Sequence, residues 1–172
     1  MKIYIGFSKP KNHKFPIFSW LIRLFERTRY SHVYIRWYDE KSDSSICFEA
    51  SGRSVKFICK EVFEERINPI HEFEITIDEN DYFNLQHFAF NNSGKDYGVK
   101  QVFGILLVRL FGLRKNPFAS GQKSWVCSEL AGTVLSKVLD VDTGLDLDIA
   151  GPKDIFKFIK NLDCAERITM IL

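Results

Sequence analysis

The sequence lacks any apolar run long enough to suggest a membrane-spanning segment. Its longest apolar stretch, residues 102–113, is interrupted by Arg109 and falls short of the roughly 20 residues that a transmembrane helix needs. The first residues alternate as in a β-strand and lack the apolar core of a signal peptide. We therefore expect a cytoplasmic protein without integral membrane association, and a phage virion protein released on lysis would look the same.

Paired cysteines and clustered histidines are also missing. The four cysteines form no CxxC motif and no other short pair, which argues against a zinc ribbon or a redox couple and favours free thiols. His13, His71 and His87 have no partner at metal-ligand spacing. The acidic run at residues 140–148 has neither glycine nor glutamate where a calcium loop needs them. The sequence predicts no metal and no other cofactor.

Charge of either sign is not in excess. The chain has 24 Lys and Arg against 22 Asp and Glu, a balance that does not indicate nucleic acid as a partner. Hydrophobic residues make up 45% of the 172 residues, and 16 of them are Phe. That length and composition suit one domain with a substantial core. We expect residues 1–172 to form a single domain and assume a monomer.

Hydrophobic periodicity predicts a mixed α+β fold with a small antiparallel sheet packed on helices. Alternating apolar residues predict strands at residues 3–7, 31–38, 46–50 and 54–60, with further strand character at 72–77 and 167–171. Apolar residues at helical spacing predict helices at residues 16–26, 82–90 and 99–111, a helix that begins near Cys127, and one from 152 to about 160.

Two of these strands carry polar side chains on matching positions. If the apolar odd-numbered residues of 33–37 face the core, His32 faces away, and if the apolar even-numbered residues of 46–50 face it, Glu49 faces away too. Pairing the strands as a hairpin must unite the two apolar sets, since a slip of one residue turns a set over. His32 and Glu49 are then expected on one face, about 4.5–8 Å apart.

A carboxylate next to a histidine orients the ring and supports the imidazolium, so this pair lacks only a nucleophile. Cys127 lies in the first turn of a predicted helix, and both a helix N-terminus and an imidazolium favour a thiolate. Taken singly, each residue has a plainer interpretation: Cys127 as the start of an apolar core stripe, His32 and Glu49 as solvated surface groups. Taken together, the three residues favour a catalytic triad.

The ordered segments YSHV at 30–33, FEA at 48–50 and WVCSEL at 125–130 resemble the circularly permuted papain-like hydrolases of the NlpC type, the YiiX-like group. The order histidine, acid, cysteine is that of the permuted branch. Residues 95–98 (KDYG) and 152–155 (PKDI) are similar to two further segments of these proteins. The resemblance covers most of the chain.

This resemblance implies a permuted papain-like fold and a cysteine peptidase or amidase that works without a cofactor. Cys127 would be the nucleophile, His32 the general base and then acid, and Glu49 the group that orients His32. The substrate would be a peptide or acyl-amide, cleaved at an amide or isopeptide bond through an acyl-thioester. Tyr97 and Tyr34 are predicted to contact this substrate.

Two alternatives stay open at this point. A binding protein or virion structural protein would keep the fold without chemistry, and a lipid acyl hydrolase or acyltransferase would use the same three residues. Residues 126–129 read VCSE, which departs from the Asn-Cys-Glu-His pattern of the lecithin retinol acyltransferase relatives and disfavours lipid acyl transfer. The basic residues Arg109, Arg114, Lys115 and Lys123 flank the predicted site, and a solvated loop explains them most simply.

Overall fold

The architecture is one mixed sheet with helices against both faces, seen in a computed structural model that describes residues 1–11, 16–121, 123–162 and 168–170. Along the chain the elements are β1 (Lys2–Pro10), α1 (Pro16–Glu26), β2 (His32–Asp39), β3 (Ser44–Ser51), β4 (Ser54–Cys59), α2 (Lys60–Arg66), β5 (Ile67–Thr76), α3 (Glu79–Asn92), β6 (Asp96–Tyr97), α4 (Val99–Phe111), β7 (Ser124–Trp125), α5 (Cys127–Thr133), which continues as a π-helical turn (Val134–Val138), α6 (Pro152–Leu162) and β8 (Ile168–Met170).

The sheet has eight strands within the described residues, in the order β7-β6-β4-β3-β2-β1-β5-β8. All neighbours are antiparallel except β6 and β7, which pair in parallel. The prediction of a small, wholly antiparallel sheet is therefore wrong in size and at one edge. The two-residue strands β6 and β7 are too short to show alternation. The first half of β5 is polar and gave no strand signal, although β5 is a ten-residue strand that pairs with β1.

The main core lies on the face of the sheet that α3, α5 and α6 cover. Its side chains are the apolar residues of the central strands and the inner faces of these helices, and burying each large one contributes about 1.5–3 kcal/mol. The largest fully buried members include Phe7, Phe48, Phe73, Leu85, Leu135, Ile155 and Ile159. The helices predicted at 82–90 and 99–111 are present, and Asp78 caps α3 by accepting the Asp81 N–H at 2.7 Å.

On the opposite face of the sheet, the alternation in β2 predicted polar side chains exposed to solvent. This prediction is wrong in the middle of β2, where the side chains are buried. The short helix α2 covers it, and Phe63 packs there with Tyr34 and Cys47. Arg36 is buried on the same face in a two-pronged ion pair with Glu72, at 2.6 and 2.9 Å. Alternation in one strand cannot reveal whether a distant segment returns to close its second face.

Helix α1 has the predicted bounds but an unexpected orientation. Its polar residues face the protein: the Ser19 hydroxyl lies 2.7 Å from that of Ser31, and the Glu26 carboxylate accepts the Lys153 N–H at 2.9 Å. Its large apolar side chains are mostly exposed, namely those of Ile17, Phe18, Trp20, Leu24 and Phe25. The apolar stripe that predicted the helix is therefore left uncovered by the rest of the described chain.

No helix within the described residues is long and apolar enough to cross a bilayer. The strand predicted at 167–171 is present as Ile168–Met170. Residues Arg167, Ile171, His13 and Cys164 lie outside the described residues.

Candidate active site

His32 and Glu49 meet where β2 begins and β3 ends. The antiparallel register pairs Ile35 with Phe48, which brings the start of one strand next to the end of the other. The Nε2 atom of His32 lies 2.7 Å from Oε2 of Glu49, and the two side chains are only 12% and 3% exposed. This contact agrees with the expectation that both side chains share a face of the sheet. Because both side chains are buried, little water screens the pair and their interaction is stronger.

Two further residues hold the Glu49 carboxylate in place. The Ser51 hydroxyl donates to its Oε1 atom at 2.6 Å, and the Lys56 ammonium lies 3.4 Å from the same oxygen. Burial alone raises the pKa of Glu49, but the hydrogen bonds and charges of His32, Ser51 and Lys56 outweigh burial and lower it to about 2. Sequence reasoning missed both residues, although Ser51 follows Glu49 by two positions and therefore shares its face.

Cys127 is the second group that acts on the His32 ring, since its side chain raises the pKa of His32. Burial alone lowers the pKa of His32, but the hydrogen bonds and charges of Cys127 and Glu49 outweigh burial and raise it to about 10. The arrangement therefore favours a protonated ring between a carboxylate and a sulfur.

The first turn of α5 is fixed by contacts that the sequence did not reveal. Glu129 is the third residue of the helix and lies near the backbone of Val126, the residue that precedes it. Gln101 of α4 donates to the Glu129 carboxylate at 3.2 Å, and the Ser128 hydroxyl donates to the Ala150 carbonyl at 2.7 Å. These contacts hold Cys127 at a helix start, where backbone N–H groups lack helical partners.

Tyr97 lies close to this group because β6 pairs with β7, with Tyr97 next to Trp125. Burial and the charges of Cys127 and Glu49 raise the pKa of its phenol well above the usual value. Tyr97 also lines a narrow pocket that reaches Cys127. Contact between Tyr97 and a substrate stays a prediction that this position allows.

Tyr34 does not reach this pocket, and its predicted contact with a substrate is replaced by a packing role. Only 2% of the residue is exposed, and its ring packs 4.5 Å from that of Phe63 in α2. The hydroxyl donates to Glu72 at 3.0 Å. The ring also covers Gly6 so closely that a Cβ added there would lie 2.0 Å from it.

The pocket next to Cys127 lies between α1 and α4 and is lined mostly by apolar side chains. Ile22 comes from α1, and Val102, Ile105 and Leu106 come from α4. Its volume is about 20 Å³, room for about one water molecule. A larger group can therefore enter only if the two helices or their side chains move apart.

Glu26 closes one end of this pocket and makes stability depend on pH. Burial raises its pKa to about 7, so between about pH 4.5 and 7 the folded chain binds more protons than the unfolded chain. The free energy of unfolding falls as pH rises through that window, by at most about 3 kcal/mol. Glu26→Gln, which stays neutral, is expected to lose this slope and to be the more stable protein above pH 7.

Urea unfolding of both proteins at about pH 5 and pH 8 checks this expectation. Glu129 also has a raised pKa, of about 7, but its contribution is common to both proteins and cancels in the comparison. Equal slopes for wild type and Glu26→Gln would contradict the assignment.

No known family model matches the chain, and no curated protein matches it. The mixed α+β architecture, however, is one that solved structures share. Among them is the crystal structure of the metalloprotein YiiX from Escherichia coli O157:H7, with a TM-score of 0.57. The two chains are 16% identical over 99% of this chain and 94% of that one. At this identity the likeness shows a YiiX-like fold and nothing finer.

The word metalloprotein describes that neighbour. Within the part of the chain that the structure describes, no group of three or more His, Cys, Asp or Glu side chains could hold a metal ion. His32 is bonded through Nε2 to the Glu49 carboxylate, and no third donor of these kinds among the described residues completes a group with them. The donor set does not fit a metal site, and the chemistry below has no metal step.

Proposed function

We propose that this chain is a cysteine hydrolase that cleaves an amide or isopeptide bond, with Cys127 as nucleophile, His32 as base and acid, and Glu49 as the group that orients His32. The observation that carries the proposal is the His32 ring bonded to the Glu49 carboxylate at 2.7 Å, with Cys127 near enough for its side chain to raise the pKa of His32. A base oriented by a third group and in contact with a thiol is the arrangement that activates a cysteine.

The proposed reaction begins when the Cys127 sulfur attacks the carbonyl carbon and the carbonyl oxygen takes up the negative charge. In this proposal the N–H of Cys127, at the start of α5, donates to that oxygen. The carbon–nitrogen bond then breaks, and His32 passes its proton to the leaving amine. Water, deprotonated by His32, hydrolyses the thioester, and the proton returns to the sulfur as the thiolate leaves.

The same arrangement supports a permuted papain-like hydrolase as the evolutionary class. Histidine and acid come first, on neighbouring strands, and the cysteine follows at the start of a later helix. A YiiX-like fold over nearly the whole chain is compatible with this class. The permutation and the NlpC relationship are part of the proposal.

A second candidate is a lipid acyl hydrolase or acyltransferase that uses the same residues. The observation in its favour is the apolar lining of the pocket at Cys127, because a fatty acyl chain is held by such surfaces. In this candidate the sulfur attacks an ester carbonyl and the leaving group is an alcohol.

The test of the proposal is selective alkylation at neutral pH. Limiting iodoacetamide is expected to label Cys127 at least tenfold faster than the exposed Cys59, because a neighbouring imidazolium favours the reactive thiolate. Peptide mapping by mass spectrometry reads all four thiols. Cys47 is the matched control, because Cys127 is buried as well, at 5% exposed, but Cys47 has no imidazole beside it and burial raises its pKa to about 12.

His32→Ala is expected to abolish the preference for Cys127, whereas Glu74→Gln, on a strand away from the site, should leave it intact. Slow and equal labelling of Cys127 and Cys59 in the wild type would refute the enzyme and favour a binding or virion structural protein. Trapping of an acyl-thioester from peptide or phospholipid mixtures, read by intact mass, separates the amide from the lipid candidate.

A further inference from the structure

Helix α1 turns its apolar side to the solvent. Its polar residues Ser19 and Glu26 are bonded to Ser31 and to the first turn of α6, so the helix is anchored by its polar side. Trp20 is 54% exposed and Leu24 is 52% exposed. An amphipathic helix normally buries its apolar side against the domain, and here none of the described chain covers it.

Helix α4 presents a second apolar stripe. Val102, Ile105 and Leu106 are buried, yet the opposite side of the same helix is apolar as well. Phe103 is 49% exposed and Phe111 is 67% exposed. Large apolar side chains on a second side of a helix are expected to be covered as well. The exposed stripe is formed by Val99, Phe103, Leu110 and Phe111.

The two uncovered surfaces are neighbours. Ile22 of α1 packs against Val102 and Ile105 of α4, so the helices lie side by side. The apolar pocket that ends at Cys127 lies between them. We call the exposed apolar side chains of α1 and α4 the apolar platform.

The charged residues in the two helices of the apolar platform and next to them in sequence are mostly basic. Residues 16–30 and 99–115 contain seven basic residues and a single acidic residue, Glu26, which is buried. Over the whole chain, by contrast, the two signs nearly cancel. The exposed basic residues of the two segments are Arg27, Arg29, Lys100, Arg109, Arg114 and Lys115, of which Arg109 pairs with Asp154.

We propose that the apolar platform docks on the surface of an anionic lipid bilayer, with α1 and α4 lying in the interface. Neither helix is able to span a bilayer, but an exposed Trp and aliphatic side chains bordered by Arg and Lys are what interfacial helices present to lipid. A second copy of the chain is a poor occupant, because it would bring like charges together. The docking does not depend on the chemistry proposed for Cys127.

Trp20 reports on this docking directly. Trp37 and Trp125 are 2% and 1% exposed, whereas Trp20 is 54% exposed, so only Trp20 can change its surroundings. Phosphatidylcholine vesicles that contain phosphatidylglycerol are expected to shift the fluorescence of the full chain to the blue and to protect it from acrylamide. Trp20→Phe should still sediment with these vesicles but show no shift.

Matched substitutions locate the surface. Phe111→Glu is expected to weaken vesicle binding by roughly tenfold. Phe83→Glu is the matched control: Phe83 is as exposed as Phe111, 65% against 67%, but it lies on α3, outside the apolar platform, so its substitution should not change binding. Reversing Arg114 and Lys115 to Glu should weaken binding to anionic vesicles by roughly fivefold per residue. Added salt should weaken it as well.

Three results would overturn the proposal. The first is equal binding to anionic vesicles and to pure phosphatidylcholine vesicles, and the second is an equal loss of binding in Phe111→Glu and Phe83→Glu. The third is a shift of Trp20 fluorescence without lipid that grows with protein concentration, while light scattering shows that the mass doubles. The last result would assign the platform to a second copy. Cys127→Ala is expected to bind vesicles as tightly as wild type, so a failure of docking and a failure of the thiol chemistry are read separately.

Discussion

Glu49→Gln is expected to slow acyl transfer to Cys127 by roughly 10²–10⁴-fold. The carboxylate lies 2.7 Å from Nε2 of His32 and is itself held by Ser51 and Lys56. An amide in its place carries no negative charge, so the imidazolium loses the partner that stabilises it. The amide nitrogen can also face the ring and impose the wrong tautomer, which leaves no free ring nitrogen to take up the thiol proton.

The rate is measured as the burst of nitrophenol that p-nitrophenyl acetate releases when it acylates the protein. The four histidines are followed in parallel by the ring-proton signals in NMR. Glu49 raises the pKa of His32, so the His32 signal of Glu49→Gln should titrate at lower pH than that of the wild type. A purely structural role for Glu49 would not move that titration.

Lys56→Ala serves as the control for the charge around Glu49. Lys56 is 35% exposed and lies 3.4 Å from the carboxylate, so solvent screens much of its effect and its loss should cost far less rate than Glu49→Gln. A burst of normal size and rate in Glu49→Gln, in a protein with wild-type thermal stability, would remove Glu49 from the mechanism.

Glu72→Ala is expected to lower the free energy of unfolding by about 3–5 kcal/mol, because it leaves a buried cation without its partner. Arg36 donates two hydrogen bonds to Glu72, and the Tyr34 hydroxyl donates a third at 3.0 Å. Arg36 has one further contact, with the face of the Tyr4 ring at 3.9 Å. That contact does not replace a carboxylate for a desolvated guanidinium.

The matched control is Glu74→Ala, two residues further along β5. Glu74 also forms an ion pair, at 2.8 Å, but its partner Lys2 is 62% exposed, and an exposed pair contributes about 0–1 kcal/mol. Thermal unfolding should therefore show a midpoint lower by roughly 6–20 °C for Glu72→Ala and a small change for Glu74→Ala. Similar midpoints for the two variants would show that burial does not set the strength of the Arg36 pair.

Several elements could be predicted from sequence because their signals are local. Helices α1 and α4 have the bounds that apolar spacing indicated, and Asp78 begins α3 as a capping residue should. The strands β6 and β7 could not be predicted, since two residues carry no alternation. The contact between Gln101 and Glu129 at the start of α5 also had no local signal, because it joins positions 28 residues apart in the chain.

What the sequence determined by itself is that His32 and Glu49 share a face, because side chains alternate in a strand and a slip of one residue would separate the apolar sets of β2 and β3. It also placed Cys127 in the first turn of a helix. The tertiary structure decided that Cys127 reaches His32 and that Tyr34 lies beneath α2. It also decided that α1 faces outward. Periodicity shows that an element has an apolar side, but only the packing of distant segments decides whether that side is covered.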